Sequence, residues 1–209
     1  MTESRAEFSR DPRQWRPQGV RDGADPNKII NPLAEPLWVG VRVLAYYRET
    51  ESSDQWGSVD VFDGDGAEAL DQAARAFDQL RRSVHATEAV LDGVITRQVW
   101  RHGVDMDFGS ADRTREGSDP AFVALDLLSV DDEPLLDVPL LERKRLLDGL
   151  LDQSPLIRVS PWTLTPIAPS FRTWRRAGFK GIVLKAANSR YVPGSISMEW
   201  TDTDKEPRF

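Results

Sequence analysis

The segment 35–42, which reads EPLWVGVR, contains two residue types that are suited to holding a phosphate group. Gly40 has no side chain, so the backbone can approach a ligand closely there. The guanidinium of Arg42 can donate paired hydrogen bonds to phosphate oxygens. Taken alone, these two residues favour a simpler interpretation, a turn glycine and a surface arginine on an ordinary strand. Leu37, in the middle of the segment, has no lone pair and cannot act as a nucleophile.

Charged residues stand in three further segments, each inside or beside an apolar run. They are Asp92 in LDGV at 91–94, Asp126 in FVALDLL at 122–128, and Lys180 and Lys185 at the two ends of KGIVLK. An aspartate before a glycine is common in turns, so none of these segments is specific by itself. The order of the four segments along the chain is the informative feature.

In this order, the segments resemble the nucleotidyltransferase motifs of the ATP-dependent DNA ligase superfamily, and the resemblance runs from about residue 33 to residue 200. The closest match is PLLERKRLL at 139–147, which is similar to a helix of the family that opens PLLERRxLL. That helix is scaffold and performs no chemistry. The resemblance implies the ligase adenylation fold, with a nucleotide cleft between two sheets.

The resemblance also implies that the family's first chemical step is lost. The family pattern EPKxDGxR has a lysine that attacks ATP and becomes covalently bound to AMP. Leu37 occupies the position of this lysine, and Val39 occupies the position of the aspartate. We therefore predict no catalytic residue in this chain.

The family's metal ligands are replaced in the same way. Its two metal-binding glutamates correspond to Val94 and Lys180, and Mg²⁺ sites need carboxylates, so the resemblance implies no metal site. Lys180, Lys185 and Arg42 could instead form a metal-free anion pocket for ATP or another nucleotide. Gly40, Asp92 and Asp126 complete the set of binding candidates. Leu125 stands where the family commonly has phenylalanine. The family has lysines shortly after its last tryptophan, and this chain has TDTD at the corresponding positions 201–204.

Three functions fit these residues. The leading prediction is a catalytically degenerate adenylation-like domain that acts as a nucleotide-binding or protein-binding accessory in DNA repair. The second is an active, unorthodox nucleotidyltransferase or DNA ligase that uses Lys180 or Lys185 as its nucleophile. The third is a purely structural interaction module whose cleft is filled by side chains such as Leu37 and Trp38.

Composition restricts the partners and the compartment. The net charge of −7 and the pI near 5.0 do not favour nucleic acid, although a local basic strip is compatible with them, and they favour a protein partner. The absence of cysteine excludes disulfides, thiol catalysis and cysteine-bound zinc. No apolar run approaches the roughly 20 residues that a membrane span needs, and no secretory leader is visible at the N-terminus. We predict a cytoplasmic protein.

The predicted strands and helices, which position these residues, indicate an α+β fold with two antiparallel sheets flanked by helices. Residues 1–28 are predicted to form a flexible N-terminal arm with Trp15 as an anchor, and residues 29–209 the adenylation-like domain, with no oligonucleotide-binding domain after it. Apolar spacing predicts helices at 67–84, 139–151 and 171–177. Strands are predicted at 38–47, 56–62, 89–100, 122–130, 157–159 and 181–185, with a long loop at 102–119.

Overall fold

The computed structural model describes residues 12–22, 24–50, 56–98 and 119–207 of the 209. The described residues contain ten strands and three α-helices. The strands are β1 (Gly19–Arg21), β2 (Pro32–Pro36), β3 (Val41–Arg48), β4 (Ser58–Asp63), β5 (Glu88–Thr96), β6 (Ala121–Val130), β7 (Glu133–Pro134), β8 (Ile157–Val159), β9 (Ile182–Ala186) and β10 (Ile196–Thr203). The helices are α1 (Ala74–Leu80), α2 (Leu140–Leu150) and α3 (Ala168–Arg176), and single 3₁₀ turns occur at Pro12–Gln14, Pro26–Lys28 and Leu70–Ala73.

The strands form two sheets. One sheet has the order β1-β10-β9-β2, and the other has the order β4-β3-β5-β6-β7 with β8 paired to β6. All strand pairs are antiparallel except β1 with β10 and β6 with β8, which are parallel. The predicted two-sheet α+β class is confirmed, with these two parallel pairs as an addition.

Apolar side chains cover both outer faces and fill the space between the sheets. Phe77 of α1 and Leu147 of α2 pack on the outer face of the larger sheet. Phe171 and Trp174 of α3 pack on the smaller sheet, with the arginines of the helix outside. Between the sheets lies a cluster made of Trp15, Leu44, Tyr46, Val90, Leu128, Tyr191 and Trp200.

The structure differs from the sequence prediction at several elements, beginning with the strand predicted at 38–47. The strand begins at Val41, because residues 38–40 cross from the end of β2 in one sheet to β3 in the other. The helix predicted at 67–84 is a 3₁₀ turn followed by the short α1. β2 and β10 were not predicted, and the loop predicted at 102–119 lies outside the described residues except for Asp119.

The predicted arm, residues 1–28, is described only from Pro12 onward. This part contributes β1 to the smaller sheet, and Trp15 is 5% exposed within the cluster between the sheets. Where the arm ends and the domain begins stays a prediction. None of the helices in the described ranges has the length and apolar character to cross a bilayer.

Candidate functional site

The segment 35–42 connects the two sheets at the edge of the predicted cleft. Glu35 and Pro36 end β2, and the amide of Leu37 donates to the carbonyl of Gly181 beside β9, over 3.0 Å. Gly40 packs against β5 so closely that a Cβ there would lie 2.0 Å from the carbonyl oxygen of Ile95. Only glycine fits this crossing, so the structure gives Gly40 a packing role.

An apolar cluster lies on one side of the crossing. Trp38 packs edge-on against Phe179, with ring centroids 4.8 Å apart, and donates a 3.0 Å hydrogen bond to Ser160 Oγ. The indole also packs against a cluster of three buried side chains, Val94, Val123 and Leu125. Two of these, Val94 and Leu125, are at positions where the family's glutamate and phenylalanine were expected.

Magnesium does not fit this donor set. Val94 offers no oxygen, and Lys180 is an exposed cation. Within the ranges that the structure describes, no three or more histidine, aspartate or glutamate residues converge to hold a cation.

A buried ion network fills the region behind the apolar cluster. Its seven charged members come from both sheets and from α2. They are Glu35, Arg42, Asp92, Asp126, Arg143, Lys144 and Lys185.

The first group of the network joins Glu35 of β2 to two lysines. Lys144 of α2 hydrogen-bonds to one oxygen of Glu35 and donates over 2.6 Å to the carbonyl of Leu125. Lys185 Nζ of β9 lies 2.5 Å from the other oxygen of Glu35, and 4.6 Å above the indole centroid of Trp200. All three charged side chains are at most 3% exposed.

Burial has opposite consequences for these acids and bases. By itself it would raise the pKa of Glu35, but the two ammonium groups outweigh it and leave this pKa below its usual value. Burial lowers the pKa of Lys185, and Glu35 only partly opposes this effect. Lys185 and Glu35 therefore form a close buried ion pair, which helps to lower the pKa of Glu35.

The second group anchors α2 to the larger sheet. Arg143 binds Asp126 of β6 through two parallel hydrogen bonds of 2.9 and 2.7 Å, and both side chains are fully buried. Arg143 also donates to the carbonyls of Val138 and Ser189. Burial alone would raise the pKa of Asp126, but the guanidinium of Arg143 outweighs it, so this pKa is lowered.

The third group links β3, β5 and the chain before β10. Arg42 binds Asp92 through two hydrogen bonds of 2.5 and 2.6 Å, and the Tyr191 hydroxyl donates to Asp92 over 2.7 Å. The amide of Gln18 in turn donates to the Tyr191 oxygen. Burial, followed by the charge of Asp92, raises the pKa of Tyr191 well above its ordinary value. Arg42, whose side chain is 31% exposed, is the most accessible member of the network.

The three groups act on one another. The pKa of Lys185 responds to the charges of Glu35, Lys144, Arg42 and Asp126. The network holds four cations and three carboxylates, so it carries one more positive charge than negative. A buried surplus of positive charge favours an anion, but each member is already bound to a neighbour.

The structure therefore brings together Arg42, Asp92, Asp126 and Lys185 of the predicted site. It places Lys180 apart from them, on the surface. Four contributors were not predicted as site residues: Glu35, Arg143, Lys144 and Tyr191. The spacing of α2 could have found two of these, because residues 143 and 144 fall on the same helical face as the buried Leu140 and Leu147.

Comparison with known proteins gives one family. Residues 53–202 match the sequence model of the ATP dependent DNA ligase domain. A DNA ligase of Natronomonas pharaonis is 29% identical over 183 residues, covering 72% of this chain and 32% of that protein. DNA ligase 2 of Haloquadratum walsbyi is 34% identical over 93 residues, covering 43% of this chain and 15% of that protein. The chain thus spans a third or less of these relatives.

Solved structures show the same fold. The ligase domain of M. tuberculosis LigD aligns with a TM-score of 0.64 at 22% identity, over 91% of this chain and 59% of that chain. A mycobacterial DNA ligase D complexed with ATP and MES aligns with a TM-score of 0.66 at 21% identity, over 91% and 60%. At this identity the likeness concerns the fold alone.

Proposed function

This chain belongs to the family of ATP-dependent DNA ligase domains, and we propose that it is a catalytically degenerate member that acts by binding and does not transfer AMP. Its role would be that of an accessory in DNA repair, an assignment that rests on the likeness to proteins named DNA ligases. The proposal concerns the domain, since the chain spans only part of its relatives.

One observation carries the proposal: Lys144 and Lys185, the two lysines beside the first motif, are buried and paired with Glu35. Adenylation needs an amine that can reach the α-phosphorus of ATP. Leu37 supplies no amine, and Lys144 and Lys185 are at most 3% exposed. The indole of Trp38 packs against Val94, and the indole of Trp200 lies against Lys185.

The same arrangement supports a protein ligand over a nucleotide. Val94 and Leu125 pack with Trp38 where the family's glutamate and aromatic residue were expected. Arg42, Asp92 and Asp126 are engaged with internal partners. A nucleotide would have to break these contacts before it could use them, whereas a protein partner can bind the surface and leave them intact.

Incubation with α-³²P-ATP and Mg²⁺, followed by a denaturing gel, tests the proposal. We expect no labelled band from this chain, while an active DNA ligase in a parallel lane is labelled. Isothermal titration with ATP and with pyrophosphate, each with and without EDTA, tests nucleotide binding separately. A Mg²⁺-independent heat that is lost in Lys185→Met would place a nucleotide in the buried ion network.

A second candidate function is favoured by the lowered pKa of Lys185. Burial lowers the pKa of Lys185, and a lysine can attack phosphorus only when its amine is neutral. In that case the amine would attack the α-phosphorus of ATP, pyrophosphate would leave, and the labelled band would disappear in Lys185→Ala. Such a result would replace the binding proposal by an unorthodox nucleotidyltransferase.

A further inference from the structure

A groove with a cavity volume of about 890 Å³ lies on the inner face of the larger sheet, away from the buried ion network. Its floor is a row of five side chains that are register partners from one strand to the next. The row consists of Asp60 (β4), Tyr46 (β3), Val90 (β5), Ser129 (β6) and Pro134 (β7). A second, shorter row of Ser58, Arg48 and Glu88 lies beside it. The groove therefore runs across the strands.

The chain before β1 forms one wall of the groove. The Tyr46 hydroxyl donates to the carbonyl of Pro12 over 2.7 Å, and Arg13 pairs with Asp60 over 3.1 Å. Leu136 and Asp137, which follow β7, line the groove at its other end. This combination of aromatic and aliphatic surface with a polar rim is typical of protein recognition sites.

The dimensions fit an extended peptide. Five strands at a spacing of about 4.8 Å give a floor of about 19 Å. An extended chain advances about 3.3 Å per residue, so about six residues span the groove. Because such a peptide would cross the strands, its backbone could not pair with them, and its side chains would provide the contacts.

The charge of the lining selects a basic peptide. Arg13 and Arg48 are matched by Asp60 and Glu88, with which they form exposed ion pairs. Asp132 and Asp137 also line the groove and leave it with two more negative charges than positive. Asp137 also contacts Arg190, which is outside the lining, in a pair about two-thirds exposed. Exposed pairs of this kind are weak, so a lysine or arginine of a ligand can compete for these carboxylates. The same charge repels nucleic acid.

We infer that this groove binds an extended segment of a partner protein, about six residues long, that contains both basic and apolar residues. The inference names the kind of partner that the proposed accessory role requires, and it rests on that role. The two can fail separately, because the groove and the buried ion network share no residue.

Two-dimensional ¹H–¹⁵N NMR of the full chain tests the inference. The probe is a seven-residue peptide that alternates basic residues with leucine, and the control peptide carries acidic residues in place of the basic ones. We expect the basic peptide to shift the amides of Tyr46, Val90 and Ser129, with a Kd below about 1 mM. We expect no saturable shift from the acidic peptide.

Variants separate charge from shape. Asp132→Asn combined with Asp137→Asn removes the excess charge and should weaken binding of the basic peptide about three- to tenfold. Ser129→Tyr fills the middle of the groove and should abolish binding while the spectrum stays folded. Asp71→Asn, an exposed aspartate on the 3₁₀ turn before α1, should bind like the parent chain.

Several outcomes would overturn the inference. They are no shifts at about 1 mM peptide, equal binding of both peptides, shifts that map outside the groove, and preferential binding of single-stranded DNA. Nuclear Overhauser contacts from residues 1–11 to Tyr46 in the free protein would show that the chain fills its own groove, and would overturn it too. A labelled AMP adduct would refute the accessory role but leave the groove result standing.

Discussion

Replacing Arg143 by methionine should be among the most destabilising single changes in α2. The substitution keeps most of the apolar volume but leaves the Asp126 carboxylate fully buried without its partner. The carbonyls of Val138 and Ser189 lose a donor as well. Breaking a buried pair from one side typically costs about 3–5 kcal/mol. For a domain of this size, each kcal/mol lowers Tm by about 2–4 °C, so the expected loss is about 6–20 °C.

The same helix supplies the control. Arg145 pairs with Glu142 at the surface, with both side chains more than half exposed. Such a pair contributes about 0–1 kcal/mol, so Arg145→Met should lower Tm by no more than about 4 °C. Both variants replace an arginine of α2 by methionine, two residues apart, and they differ in the burial of the ion pair that is lost.

Urea unfolding followed by circular dichroism measures both free energies. Combining Arg143→Met with Asp126→Leu should recover much of the loss, because replacing both partners of a buried pair by apolar residues is often neutral or stabilising. If Arg143→Met and Arg145→Met lose the same free energy within about 1 kcal/mol, the buried ion network does not hold α2 to the sheet.

Three further predictions follow from the same geometry. The lowered pKa values of Glu35 and Asp126 contribute stability that is fully present above about pH 4.5 and is lost as the pH falls through the folded-state values. The urea midpoint should therefore decrease as the pH falls below about 4.5, and a flat profile would contradict the ion pairing. Gly40→Ala should destabilise the fold by about 1–3 kcal/mol or more, because the new Cβ would meet the carbonyl of Ile95, whereas Gly149→Ala, in open space on α2, should stabilise it by about 0.4–1 kcal/mol. Calorimetric melting of both variants checks this contrast, and equal melting temperatures would refute it. Val94→Glu should destabilise the fold by about 2 kcal/mol or more, because it buries a carboxylate among Trp38, Val123 and Leu125. Added Mg²⁺ should not restore the lost stability, and a Mg²⁺-dependent rise in Tm would show that a metal site can be rebuilt there.

Local patterns in the sequence predicted much of the fold. The apolar spacing of 139–151 predicted α2 to within a residue at each end. β2 escaped prediction because it begins and ends with proline, which usually argues against a strand. Proline is tolerated there because β2 is an edge strand of the smaller sheet.

The site was harder to predict because its contacts join distant parts of the chain. Arg143 and Lys144 lie on the inner face of α2, but charged residues are usually solvated, so only the leucines were expected inside. Glu35 belonged to the first motif, yet nothing local shows that its partners are 109 and 150 residues away. Trp38 reaches Phe179 only because residues 38–40 cross between the sheets.

The central claim, binding without AMP transfer, is tested most directly by the intact mass of the purified chain after incubation with ATP and Mg²⁺. We predict a mass identical to that of the untreated chain, both for the parent sequence and for Leu37→Lys. Leu37→Lys restores the amine, but the positions of the family's two metal-binding glutamates still hold Val94 and Lys180. A covalent gain of one AMP on the parent chain would contradict the claim, and mapping of the adduct to Lys185 would identify the chain as an active nucleotidyltransferase.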